Sequence, residues 1–163
     1  VVQGVKYRGN LGTIVRTAVQ CNFFEKIVMI DSEEGERVDD KDLAFYSMCN
    51  NVLIEITHYS SVSSFLLSPL SNDPTRPWLA TALVPSSISL YSPSTSPLLR
   101  DIQTYNGIIF VGSEGKGLDR RIMEVERCVK VVIPSMSASV NVGVAFGMVM
   151  SAVMITNGGG GTQ

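Results

Sequence analysis

Three stretches of the chain carry residue types that do chemistry. The most compact is Gly112-Ser113-Glu114-Gly115-Lys116-Gly117, between the apolar run Asn106 to Val111 and a short helical pattern over Asp119 to Glu126. Glycines allow tight turns and let a ligand meet bare backbone N–H groups. Ser113, Glu114 and Lys116 would crown the strand end with polar side chains. The glycine spacing is not that of a P-loop, and no Ser or Thr follows the Lys. Nor is this a dinucleotide fingerprint, which follows the first strand and has an acid about 20 residues later. Taken alone, the loop reads equally as a tight strand-to-helix turn.

The second stretch is Ile133-Pro134 through Ser139-Val140-Asn141, after the strand Cys128 to Ile133. Small residues and hydroxyls at a strand's C-terminal end resemble a ligand site of an open α/β sheet. Ser139 or Asn141 equally suits the cap of the helix that follows. The third stretch runs from Asn10 to Ala18, with Arg16 set among Leu11, Ile14, Val15 and Ala18. A lone arginine is ordinarily a solvated residue or half of a salt bridge. If the strand ends converge, however, Lys6, Arg8, Arg16, Lys116, Arg120 and Arg121 form one basic patch suited to phosphate groups. Glu114 would then pair with an arginine and hold it in place.

The elements that must position these residues follow from the hydrophobic pattern. Val1 to Val5, Lys26 to Ile30, Asn51 to Ile56, Trp78 to Val84, Asn106 to Val111 and Cys128 to Ile133 read as strands. Asn10 is placed to cap a helix running to about Asn22, and Ser60 to Leu67 suits a short helix. Asp31 to Asp42 holds seven acids and two bases, which implies a solvated loop and a helix start. Pro69 to Pro77 reads as loop, and the uncharged Pro85 to Pro97 as a connector or short edge strand. The last helix spans Asn141 to about Ile155, with Gly143, Gly147 and Ser151 on one stripe. A helix-interior glycine costs about 1 kcal/mol relative to alanine. The stripe therefore implies close packing, and the apolar remainder implies a helix buried almost all round, with a partner subunit covering part of it. Strands alternate with helices, so the fold class is α/β with a mostly parallel sheet. Residues 1–156 form one domain, and the glycine-rich tail Asn157 to Gln163 is expected to be disordered.

Composition limits the alternatives. The chain has 163 residues, 45% hydrophobic and 17% charged, with a net charge of −2. Its mean hydropathy is +0.21 and its pI about 5.4. That excludes global disorder and a basic protein that coats nucleic acid. Cys21, Cys49 and Cys128 show neither CxxC nor zinc spacing, so no metal is expected. Three scattered cysteines suit a reducing, intracellular compartment, with the cytoplasm favoured and an organelle left open because the sequence starts at Val1. No uninterrupted apolar run suits a membrane span. His58 reads as structural, and Trp78 as a packing residue.

The three stretches together, in this order, resemble the three motifs of the SpoU, or TrmH-like, branch of the SPOUT RNA methyltransferases. The likeness covers nearly the whole chain and is weakest between Asp31 and Asn106. It implies a parallel sheet flanked by helices with a deep C-terminal trefoil knot, and a homodimer whose sites are completed near the interface. It implies bound S-adenosylmethionine, leaving as S-adenosylhomocysteine, against Val111, Gly112, Gly117, Leu118, Ile133, Met136, Ser139 and Val140. By the same resemblance Asn10, Arg16, Glu114, Ser139 and Asn141 carry catalysis. The substrate would be tRNA or rRNA, methylated on a ribose 2′-hydroxyl and held by the basic patch. For Arg16 two roles stay open: clamping a phosphate while stabilising the developing alkoxide, or accepting the proton transiently. The third motif departs from the family pattern. Ser135 precedes Met136, no glycine lies between Pro134 and Ser139, the interval is about two residues short, and Val140 replaces a leucine. A second expectation follows from that departure: a knotted RNA-binding or protein-binding module with little or no methyl transfer.

Overall fold

The computed structural model describes residues 1–31, 40–48, 54–113, 115–134 and 140–158. The strands are β1 (Val2–Gln3), β2 (Lys26–Ile30), β3 (Glu55–Tyr59), β4 (Trp78–Thr81), β5 (Ile88–Ser89), β6 (Ile108–Phe110) and β7 (Cys128–Val132). The helices are α1 (Arg8–Cys21), α2 (Asp40–Ser47), α3 (Val62–Leu66), α4 (Pro69–Asn72), α5 (Ser96–Thr104), α6 (Arg120–Met123) and α7 (Val142–Gly158).

Every strand pairing among the described residues is parallel. One group runs β1-β2-β3 and the other β5-β7-β4-β6. They meet where Gln3 N–H donates to Val111 O at 2.9 Å and Val111 N–H donates to Val1 O at 3.0 Å. Period-2 alternation then sorts side chains onto two faces. Ile27, Met29, Leu79 and Ile109 enter one core with α1, α5 and α7, while Val28, Ile30, Trp78 and Phe110 enter the other with α3 and α6. The α/β sheet flanked by helices is therefore as the sequence implies.

Strand β7 lies between β4 and β5, although both precede it in the chain. Thr81 of β4 and Ile88 of β5 both stand in register with Val131. Residues 82–87 therefore bridge the two strands that flank β7.

Local chemistry explains the element ends. The buried set Leu11, Ile14, Val15 and Ala18 gives α1 its inner face, and Asn22 ends it in the left-handed region at φ 46°. Ser61 and Ser64 form a reciprocal capping box for α3. Gly12 lets α1 touch α2, since a Cβ there would lie 2.3 Å from the Tyr46 carbonyl oxygen.

Several expectations are corrected. Asn10 does not cap α1: the helix starts at Arg8 with Tyr7 before it, and Asn10 lies in the first turn. β1 is two residues long, and β3 is shifted to Glu55–Tyr59, with 51–53 outside the described residues. β4 stops at Thr81, because the apolar residues after it line a cleft. Pro69–Asn72 is a helical turn rather than loop, and α5 has no counterpart in the sequence reading. Asn157 and Gly158 belong to α7 rather than to a tail, whose remainder is outside the described residues. Nor is α7 buried all round: Val144, Ser151, Met154 and Ile155 are exposed. Gly143 faces Thr13 of α1, and a Cβ on Gly147 would meet nothing within 4 Å.

Candidate functional site

An open cleft of about 530 Å³ lies at the C-terminal ends of β4, β6 and β7. That volume falls within the roughly 300–1,000 Å³ of small-molecule sites, and strand C-termini are where such sheets bind ligands. Leu83 and Val84 form one wall, the Gly112 to Leu118 loop another, and Ile133, Val140 and Asn141 a third.

The glycine loop is built by close backbone approach. Ser113 N–H donates to Gly117 O at 3.2 Å, and Gly117 N–H donates back to Ser113 O at 3.0 Å. The Lys116 N–H donates to Ser113 Oγ at 3.2 Å. Gly117 holds φ +68°, and a Cβ on Gly112 would lie 2.4 Å from the Gly117 carbonyl carbon. Only glycine fits that contact without shifting backbone.

The first and third stretches meet beside this loop. Asn141 Nδ2 donates to Asn10 Oδ1 at 3.0 Å, joining α1 to the start of α7. Asn141 Oδ1 also accepts from Gly143 N–H at 2.9 Å and Val144 N–H at 3.3 Å. Asn141 thus caps α7 and also lines the cleft. Asn10 spends its side chain on this bond rather than on a helix cap.

The other expected site residues divide as follows. Gly112, Gly117, Leu118, Ile133, Val140, Lys116 and Asn141 line the cleft. Val111 does not: it is buried in the sheet beside Val2. Arg16 does not line it either; it is exposed, on the side of α1 away from the core. Glu114, Met136 and Ser139 lie outside the described residues. Lys6, Lys116 and Arg121 line a neighbouring cleft, while Arg8 and Arg16 do not. Arg120 pairs with Glu124 at 3.1 Å near the surface.

Sequence reasoning missed the wall formed by Thr81, Ala82, Leu83 and Val84. The signal for it was the strand-end rule itself, obscured by reading these residues as a continued strand. His58 sits 3.8 Å from Asp31, with its side chain 12% exposed. Trp78 is buried beneath the Arg127 guanidinium, 4.6 Å from the ring centroid. Among the described residues, no group of three or more His, Cys, Asp or Glu is placed to hold a metal, and no helix is long and apolar enough to cross a membrane.

Solved structures share this architecture. The A. aeolicus TrmH/SpoU tRNA modifying enzyme superposes with a TM-score of 0.70 at 20% identity, covering 96% of this chain and 73% of that one. The AdoMet-bound rRNA methyltransferase from Sinorhizobium meliloti gives 0.69 at 18% identity, covering 94% and 54%. A structure described as giving insights into the 2-OH methylation of C/U34 on tRNA gives 0.73 at 18% identity, covering 97% and 94%. At these identities the likeness shows the fold. No curated protein matches the chain significantly by sequence. The model of the SpoU rRNA Methylase family matches residues 1–151. This chain belongs to that family.

Proposed function

We propose that the chain is an S-adenosylmethionine-dependent RNA methyltransferase acting on a ribose 2′-hydroxyl of tRNA or rRNA. The observation that carries this reading is the meeting of two distant segments at one cleft, the Gly112 to Leu118 loop and Ile133 with Val140 and Asn141, to which the Asn10–Asn141 hydrogen bond ties the first segment. The cofactor fits the residues present. The cleft is large enough, Leu83, Val84 and Val140 offer apolar contact, and the bare backbone around Gly112 and Gly117 offers polar contact. When bound, S-adenosylmethionine supplies an electrophilic sulfonium methyl group. The chain's own task is to orient the 2′-oxygen and remove its proton.

Gly112, Gly117, Leu118, Ile133, Val140, Met136 and Ser139 would hold the cofactor. Asn10 and Asn141 fix the joint between the first and third motifs, and Glu114 would orient the loop or an arginine. Arg16 is exposed and does not line its own chain's cleft, so the reading includes a homodimer that pairs through the α1 and α7 surfaces and brings Arg16 to the partner's cleft. Arg16 would then grip phosphate and stabilise the developing alkoxide; taking the proton itself is the costlier role for a guanidinium. The insertion of β7 between β4 and β5, bridged by residues 82–87, supports a trefoil knot in which the C-terminal segment passes through that loop. The reading treats residues 1–156 as one methyltransferase domain acting inside the cell.

Calorimetry with S-adenosylmethionine and transfer of labelled methyl into RNA test the proposal. We expect micromolar cofactor binding, and label that becomes alkali-stable at one nucleotide and disappears in Arg16→Ala. A folded protein that binds RNA but neither cofactor nor methyl would instead be a binding module of the same fold. The position of Arg16 away from its own chain's cleft favours that second reading if the protein proves monomeric.

A further inference from the structure

The glycine loop has a second side. A cleft of about 250 Å³ lies there, lined by Gln3, Lys6, Asp31, Ser61, Lys116 and Arg121 among others. It shares Ser113, Lys116, Gly117 and Leu118 with the larger cleft, so one loop is the wall between them. Among the described residues, three cations and two carboxylates, Asp31 and Asp119, line this smaller cleft, in a chain whose net charge is −2. Asp119 accepts from Arg121 N–H at 2.8 Å and from Arg121 Nε and Nη2 at 3.0 and 2.7 Å. Asp31 stands beside His58. Arg121 Nη1 also donates to Ser63 Oγ at 2.7 Å, so this guanidinium is fixed from two sides. A fixed guanidinium with two lysines suits a phosphate, which needs several donors around one anion.

The next residue after Lys6 adds a base-sized surface. Tyr7 is 68% exposed. Its carbonyl accepts from Asn10 N–H at 2.9 Å and Leu11 N–H at 3.1 Å, which fixes its backbone at the start of α1. An exposed ring on a fixed backbone beside cations is a stacking platform for single-stranded nucleic acid.

We propose that this second cleft is a phosphodiester subsite for the RNA strand whose ribose enters the larger cleft, with Tyr7 stacking on an adjacent base. The inference rests on the RNA reading above and extends it to named residues. A strand crossing the glycine loop places its reacting sugar on one side and a neighbouring phosphate on the other. The cations thereby set the register of the strand, and the ring selects an unstacked base.

The test uses the whole chain, a short fluorescein-labelled single-stranded oligoribonucleotide and bulk tRNA, with affinity measured over a range of salt. Lys6→Ala is expected to weaken binding several-fold and to lower the log–log salt slope by about 0.7, the value for one phosphate contact on a single strand. Tyr7→Ala is expected to weaken binding about tenfold with the slope unchanged, as for a lost stacking contact. Arg100→Ala, which removes a charge outside both clefts, is expected to change neither. Cofactor affinity by calorimetry is expected to stay level in all three. If the protein binds RNA and cofactor but Lys6→Ala and Tyr7→Ala lose nothing, the subsite alone is overturned. If it binds cofactor but no RNA, the RNA reading and the subsite fall together. Complete competition by millimolar inorganic phosphate would mark a free-anion site and overturn the assignment to RNA.

Discussion

Gly112 shows how little freedom one position can have. A methyl there would overlap the Gly117 carbonyl carbon at 2.4 Å, and backbone cannot swing aside as a side-chain tip can. Gly112→Ala is therefore expected to cost about 1–3 kcal/mol by overpacking and to lower cofactor affinity at least tenfold, since the cleft wall itself must move. Thermal unfolding and calorimetry on the same sample check both halves. Cys128 makes a different prediction. Burial pushes its thiol from the usual 9.0 up to about 11. Below 9.0 the thiol is neutral in both folded and unfolded chains, so stability there is unaffected. Between those values the unfolded chain ionises first, and stability falls as pH rises. The urea midpoint should drop between neutral pH and about pH 10, and Cys128→Ala, less stable at the outset, should drop less. Both residues were visible in the sequence, but the reasons for them were not. The loop motif marks Gly112 as important without saying that Gly117 lies against it, because that contact depends on how the loop folds back.

At the scale of elements, the α1–α7 joint connects the sequence motifs to the cleft. It consists of the Asn10–Asn141 bond and the contact of Gly143 with Thr13, where an added Cβ would lie 3.2 Å from the threonine side chain. Asn141→Ala loses both this bond and the cap on α7, and should cost about 1–2 kcal/mol. Asn10→Ala loses the bond but not the cap, and should cost about 0.5–1 kcal/mol. A double-mutant cycle by urea unfolding should therefore give a coupling near the smaller cost; additive effects would mean that the bond contributes nothing. The α1–α2 contact is tighter. Gly12→Ala meets Tyr46 backbone at 2.3 Å and should destabilise more than Gly143→Ala, whose neighbour is a side chain. How far these elements could be read beforehand depended on their surroundings. Strand β2 has the same bounds in sequence and structure, because a continuous apolar run is set off by Glu25 and Asp31. Helix α5 was hidden, since only Leu99 and Ile102 of its nine residues are buried and Pro97 stands in its first turn. The apolar stretch after Thr81 misled in the opposite direction: its hydrophobicity belongs to a cleft wall rather than to a sheet.

At the scale of the molecule, the outer face of α7 asks for a covering surface. Val144 is 54% exposed and Ile155 73%, in a helix without a charged residue. Gly147 stands among them with nothing within 4 Å of where its Cβ would be. In an isolated chain this glycine costs about 1 kcal/mol relative to alanine and serves no close contact among the described residues. A second copy approaching closely along the stripe gives it a purpose, and a two-fold arrangement would present the Arg16 of each copy to the other. Two substitutions separate these cases. If the chain functions alone, Gly147→Ala raises the unfolding midpoint, and the gain is independent of protein concentration. If the face pairs, the added methyl intrudes on the contact, the midpoint falls, and it becomes more dependent on concentration. Ile155→Asp places a carboxylate on the same face and should yield a folded monomer by sedimentation. On the proposed dimer reading, that monomer is expected to keep cofactor binding, because the described cleft walls come from one chain, and to lose methyl transfer at least a hundredfold for want of the partner's arginine. Transfer should return when it is mixed with an Arg16→Ala chain only if the two form a mixed dimer. A monomer that transfers methyl at the parent rate would place Arg16 outside the reaction and leave the α7 face unrelated to catalysis.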